Sequence, residues 1–201
     1  RVRDGSGSLS NTTTNITQGA AYKGGCYFPD PSYRFGAKFD TYYKFCYGGI
    51  HRVNYVIENT LKMIPNAKTE ESKKKLETVI GEARLLRGMI YFRLISMWGD
   101  VPYIDHVVYN QTEMDKIVRT SIAKIKDYII EDFNYAFEKL PIKSEQIGRA
   151  SKPAALAFKG KLELYWACWN HFGWPELDTF TPSEEEAKKA YKAAADDFHA
   201  V

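Results

Sequence analysis

Histidines, cysteines and paired carboxylates are the side chains with which a chain of this size would bind metal, form covalent intermediates or move protons. Their spacing supports none of these. The four histidines, His51, His106, His171 and His199, form no His-Glu-x-x-His pair, the arrangement that sets two imidazoles on one helix face for zinc. Cys26, Cys46 and Cys168 form no Cys-x-x-Cys, so neither a zinc site nor a dithiol redox motif is expected. An odd number of thiols cannot all pair within one chain, and isolated, mostly buried thiols are the expectation. The neighbouring acids Glu131-Asp132 and Asp196-Asp197 point to different helix faces and make no general acid/base pair. The sequence holds no glycine-rich phosphate loop and no Gly-x-Ser-x-Gly elbow. No catalytic residue, metal site or cofactor is expected.

Aromatic surface is what the chain has in quantity, with 14 Tyr, 11 Phe and 4 Trp. Rings bind by covering flat apolar faces, those of sugars included, or they pack inside a fold. Tyr22, Tyr27, Phe28, Tyr33 and Phe35 stand among glycines and the two prolines Pro29 and Pro31. On such irregular backbone they either pack a loop onto the body or face a ligand. Trp169 and Trp174, in Trp169-Asn170-His171-Phe172-Gly173-Trp174, either fill the space between helical hairpins or line a site.

The elements that must position these rings are helices. From Asp40, the residues Tyr43, Tyr47, Ile50, Asn54 and Ile57 or Glu58 recur every three or four positions, and the pattern stops near Pro65. A second helix over about 70–98 carries Leu76, Val79, Ala83, Leu86, Ile90, Leu94 and Met97 on one stripe and Leu85, Met89, Phe92 and Ile95 on another. A helix apolar on two sides is sandwiched between layers. Gly99 and Pro102 end it, and Asp100 is expected to hold the turn by side-chain bonds to backbone. A third helix over about 115–140 places Ile122, Ile125, Ile129, Phe133 and Phe137 in register, and Pro141 closes it. Ser151 and Pro153 mark the start of a fourth helix over about 152–170. Ser183 with Glu186 fits a capping box for a fifth, whose inner face is Ala187, Ala190, Tyr191, Ala194 and Phe198, and which runs on to the last residue. With no credible strand pair, antiparallel hairpins stacked side by side are the expected packing. Gly88, Phe92 and Ile95 loosely match the small, aromatic and small positions of a tetratricopeptide repeat. The fold class expected is all-α: tetratricopeptide-like stacked hairpins over 40–201, after an irregular, aromatic-containing N-terminal segment over 1–39.

Composition narrows the function further. The net charge of +3, from 28 basic and 25 acidic residues, is too small to argue for nucleic acid or an anionic membrane as partner. Lys73-Lys74-Lys75 and Lys188-Lys189 read as solvated helix faces. No run approaches a transmembrane length. Gly24-Gly25-Cys26 does not read as a lipid-attachment site, because Asn11–Gln18 upstream is polar and offers no apolar core.

Four segments in order resemble one family. Tyr42-Tyr43 followed by Arg52-Val53-Asn54 is similar to the first helix of the SusD/RagB family of surface nutrient-binding proteins. Gly81 to Ile104, with Gly99-Asp100-Val101-Pro102, resembles its signature helix and turn. Ile125 to Pro141, containing Asp132-Phe133, Ala136 and Leu140-Pro141, resembles the next helix, and Gly148-Arg149-Ala150-Ser151-Lys152 with Ala154-Ala155 the one after. Two departures stand out: Gly88 occupies a position where alanine is usual, and Trp98 one where Phe or Tyr is commoner.

The resemblance implies a lipid-anchored, non-enzymatic protein on the outer membrane of a Bacteroidetes-type bacterium. It implies capture of a glycan, or in some members a peptide, and delivery to a SusC-like TonB-dependent transporter. It also implies that this chain is the N-terminal portion of a longer protein, with signal and anchor upstream of Arg1. Ligand contacts of the family arise partly before the first helix, so Tyr22, Tyr27, Phe28, Tyr33 and Phe35 become the first candidate binding residues, and Trp169 and Trp174 the second. Arg84 and Arg87 belong to the signature but are expected to be structural, forking onto Glu82, Asp100 or Asp132. Two further readings stay open: a helical-repeat adaptor holding a peptide in its groove, and an all-helical glycoside-acting enzyme, which lacks a carboxylate pair.

Overall fold

A computed structural model describes residues 35–144, 146–173 and 180–201. The chain divides into two units, Arg1–Tyr42 and Tyr43–Val201, and the second contains the helical stack. The described elements are α1 (Phe35–Met63), a 3-10 turn (Ile64–Asn66), α2 (Glu70–Trp98), β1 (Val101–Pro102), α3 (Gln111–Met114), β2 (Arg119–Thr120), α4 (Ile122–Lys139), α5 (Lys152–Phe172) and α6 (Glu184–His199).

Each long helix runs antiparallel to the next, which is the tetratricopeptide-like arrangement. Between α1 and α2, Val53 and Ile57 pack on Ile80 and Ala83. Gly49 lets the Ile90 side chain come within 3.0 Å of where a Cβ would stand. On the opposite face of α2, Gly81 receives Leu140 and Gly88 receives Phe133 of α4. Phe133 in turn meets Phe158 of α5 with ring centroids 6.3 Å apart. Phe198 of α6 covers Gly160 of α5. Tyr91, Leu94, Ile95, Ile125, Ile129 and Phe133 are fully buried, so the core lies along both faces of α2 and the inner face of α4. Removing this much apolar surface from water is what holds the stack together.

Local chemistry sets the helix limits. Thr69 accepts a hydrogen bond from the Ser72 N–H at 3.1 Å and opens α2, which ends at Gly99 with φ 68°. The Ser183 hydroxyl accepts from the Glu186 N–H at 3.2 Å and opens α6. Ser151 occupies the corresponding position before α5, but its side chain makes no capping bond, contrary to expectation.

Other differences follow from contacts that no local pattern records. α1 begins at Phe35, earlier than Asp40. The expected third helix, about 115–140, is instead the shorter α4, with β2 lying within its expected first turns. The Asp100 carboxylate accepts the Ile122 N–H at 2.8 Å and fixes the start of α4 there. Asn110 separately caps α3, its side chain accepting from the Glu113 N–H at 3.0 Å. A strand pair exists after all, Val101 opposite Thr120 and Pro102 opposite Arg119; two residues a side are too few to leave a period-2 signal. Leu86, expected on a buried stripe, is half exposed, because α1 and α4 grip the sides of α2 that carry Ala83 and Ile90, and Gly81 and Gly88. α6 ends at His199, with the Ala200 N–H donating to Asp196, so the helix stops short of Val201. Asp100→Ala removes the anchor of α4, and urea unfolding is expected to show a loss of about 1–2 kcal/mol.

Candidate functional site

The signature helix positions a site by way of one buried arginine. Arg87 leaves α2 towards α4, where Nε donates to Asp132 Oδ2 and Nη2 to Asp132 Oδ1, both at 2.7 Å. Its Nη1 donates to Asn54 Oδ1 on α1 at 2.9 Å and to the Asp105 carbonyl at 3.1 Å. Burial alone would lower the affinity of Arg87 for its proton, but the Asp132 hydrogen bonds and charge outweigh it and raise the pKa above the ordinary value. Arg84 approaches Asp132 at 3.5 Å and lies over the Tyr135 ring. Of the three acids weighed as partners, Asp132 is the one that takes both arginines. Asp100 caps α4, and Glu82 pairs with Arg149.

This fork holds a strap of chain, 102–106, against α1 and α2. Asn54 Nδ2 donates to the carbonyls of Ile104 and His106, each at 2.9 Å. The Tyr91 hydroxyl accepts from the Ile104 N–H at 2.7 Å and donates to the Ile104 carbonyl at 3.2 Å. The Tyr47 hydroxyl donates to the Pro102 carbonyl at 2.6 Å. Desolvation raises the pKa of both tyrosines, so each stays a neutral donor. Their rings belong to a continuous aromatic column: Trp98 against Tyr43 at 5.2 Å, Tyr43 against Tyr47 at 4.8 Å, then Tyr47, Tyr91, Tyr103 and Tyr128. Trp98 thus meets Tyr43 edge-on.

Between α1 and the strap lies a groove of about 470 Å³. Tyr43, Tyr47 and His51 line it from α1, Pro102, Ile104 and His106 from the strap, and Met114 and Ile117 from the excursion beyond. Its walls are aromatic and aliphatic and its polar groups few, the composition of a pocket that grips flat or apolar ligand surface. His106 stands at the rim between two carboxylates, Nδ1 2.9 Å from Asp105 Oδ1 and Nε2 2.7 Å from Glu113 Oε2. Both ring nitrogens are thus engaged by carboxylates, beside walls suited to binding. Among the described residues, no group of three or more His, Cys, Asp or Glu could hold a metal ion, and no helix is long and apolar enough to cross a membrane.

Of the binding residues expected from sequence, Tyr22, Tyr27, Phe28, Tyr33 and Trp174 lie outside the described residues. Phe35 is the first residue of α1, and its side chain is likewise outside them. Trp169 is half-buried on α5, with its ring edge-on to Tyr165 at 5.9 Å, and lines none of the groove. Tyr43, Tyr47, His51 and His106 were not foreseen as a set. One signal was available: Tyr43 and Tyr47 are one turn apart on α1, on the side of Asn54.

A family model described as "Starch-binding associating with outer membrane", SusD-like, matches residues 9–164. The SusD-like protein P2 of Formosa agariphila is 34% identical over 96 residues, covering 47% of this chain and 19% of that protein. The chain therefore spans about a fifth of that relative's length. A crystal structure with a xylogluco-oligosaccharide superposes with TM-score 0.59 at 27% identity, covering 78% of this chain and 28% of the other. A SusD homolog from Bacteroides thetaiotaomicron superposes with TM-score 0.64 at 26% identity, covering 80% and 28%. A family match across residues 9–164, on a stack whose signature arginine, asparagine and aspartate are joined in one buried fork, shows that the chain belongs to the SusD-like family.

Proposed function

We propose that this chain is part of a non-enzymatic, lipid-anchored protein at the outer-membrane surface that captures a glycan and delivers it to a SusC-like TonB-dependent transporter. The family match carries this reading, and the structural relative solved with a xylogluco-oligosaccharide gives the ligand its chemical class. Capture needs rings to stack on sugar faces and a few polar groups to orient hydroxyls. Tyr22, Tyr27, Phe28, Tyr33 and Phe35, before and at the start of α1, supply rings, Trp169 and Trp174 are a second set, and the groove beside α1 offers Tyr43 and Tyr47. One observation favours a second reading, peptide capture: Ile104, Met114 and Ile117 give the groove aliphatic walls better suited to an apolar side chain than to a hydroxyl-rich sugar.

Native affinity electrophoresis through xyloglucan, laminarin, starch and host polysaccharides tests the proposal. Retardation by one polysaccharide is expected. Tyr27→Ala or Tyr33→Ala should weaken it about fivefold, the equivalent of one stacking contact of about 1 kcal/mol. Retardation that survives these changes together with Tyr43→Ala, Trp169→Ala and Trp174→Ala moves the sugar site off this chain. A protein retarded by no polysaccharide but binding apolar peptides supports the second reading and sinks the first.

A further inference from the structure

The outer wall of the groove is tied down at few points. Residues 103–118 leave the stack at β1, carry α3 and return at β2. Val107 is buried, and the Tyr109 hydroxyl donates to Glu58 Oε1 on α1 at 3.0 Å. Beyond the Asn54, Arg87 and Tyr91 bonds that hold 104–106, the imidazole of His106 ties α3 to the strap: its Nε2 reaches Glu113, next to the groove residue Met114, while Nδ1 reaches Asp105. An imidazolium has two N–H groups and satisfies both carboxylates. A neutral imidazole has one, and its other nitrogen would turn a lone pair onto a carboxylate oxygen less than 3 Å away. The observed geometry is therefore that of the protonated ring.

We infer that His106 is a pH-operated latch on the groove: protonated, it ties α3 to the strap and holds Met114 and Ile117 in the wall; neutral, it releases Glu113 and loosens that wall. The regulatory part rests on reading the groove as ligand-facing. The Glu113 contact is the one given up, because it closes a loop that must be ordered, whereas Asp105 is the adjacent residue.

The surroundings support the sign. The Asp105 bond raises the pKa of His106, partial burial lowers it, and the Glu113 bond raises it again, leaving it above the ordinary imidazole value of about 6.5. For Asp105, burial raises the pKa, but the His106 bond and the Arg87 charge bring it below the ordinary carboxylate value, so this partner stays charged across the window. The other charged or titratable groups nearby are His51, Glu58 and Tyr109, the Arg87–Asp132 pair behind the strap, and Asp115 at the end of α3. A folded-state pKa raised above the unfolded one means that the latch is fully present below about pH 6.5 and is lost as pH rises through the raised value.

Amide hydrogen exchange of 107–118 from pH 5.5 to 8.5, each rate divided by its intrinsic rate, should be read alongside the assigned Cε1–H titration of every histidine. The expected result is a His106 midpoint above 6.5, lowered in Glu113→Gln, with protection over 107–117 falling about fivefold through that midpoint. In His106→Gln, protection should be low and independent of pH. Protection that is flat across the His106 midpoint, or the same pH dependence in His106→Gln, overturns the latch. Retardation by xyloglucan at pH 6 and pH 8 separates the two ideas. Equal retardation at both, in wild type and His106→Gln alike, overturns the regulation. Retardation by no polysaccharide at either pH, with the exchange signature intact, sinks the glycan reading and leaves the latch standing.

Discussion

Arg87→Ala lowers the free energy of unfolding by about 3–5 kcal/mol, the cost of stranding a buried charge. The Asp132 carboxylate keeps only Arg84, which reaches it at 3.5 Å from a partly exposed position. Asn54 Oδ1 and the Asp105 carbonyl lose their donor in the same step. Arg87→Lys keeps the charge but not the planar fork, so an intermediate loss is expected. In Arg87→Met/Asp132→Leu, where neither charge is buried, much of the stability should return, although Asn54 and Asp105 still lack a donor. Urea unfolding followed by circular dichroism, with the denaturant slope unchanged, is the measurement. A loss below about 1 kcal/mol in Arg87→Ala would mean that the fork is not a principal tie between α1, α2 and α4.

Phe133→Ala costs about 3–5 kcal/mol, because it empties a fully buried ring position between α2, α4 and α5. Its more telling consequence is on Gly88. A Cβ at Gly88 would stand 2.6 Å from Phe133 Cε1, so Gly88→Ala in the wild type forces the ring to shift. That overpacking, about 1–3 kcal/mol, exceeds the gain of about 1 kcal/mol from replacing glycine within a helix. In the Phe133→Ala background the clash is gone, and Gly88→Ala should stabilise by about 1 kcal/mol. The substitution thus changes sign with its neighbour. Equal effects in both backgrounds would disprove the pairing.

The helical class, the limits of α2 and the family were legible in the sequence, because each depends on residues close together in the chain. Helical periodicity and the Gly99 stop after α2 act within a turn or two, so a linear reading captures them. Arg84 and Arg87 as structural residues were legible too. Tertiary structure alone selected Asp132 over Glu82 and Asp100 as the arginine partner, began α4 at Ile122, and turned 102–106 into a strap. It also brought Tyr43, Tyr47 and His106 to one groove and set His106 between two carboxylates. The Arg87–Asp132, Asn54–Ile104 and Tyr47–Pro102 bonds join residues 45, 50 and 55 positions apart. Such pairs leave no period in the sequence, since their partners meet only once α1, α2 and α4 have packed and excluded water from the space between them.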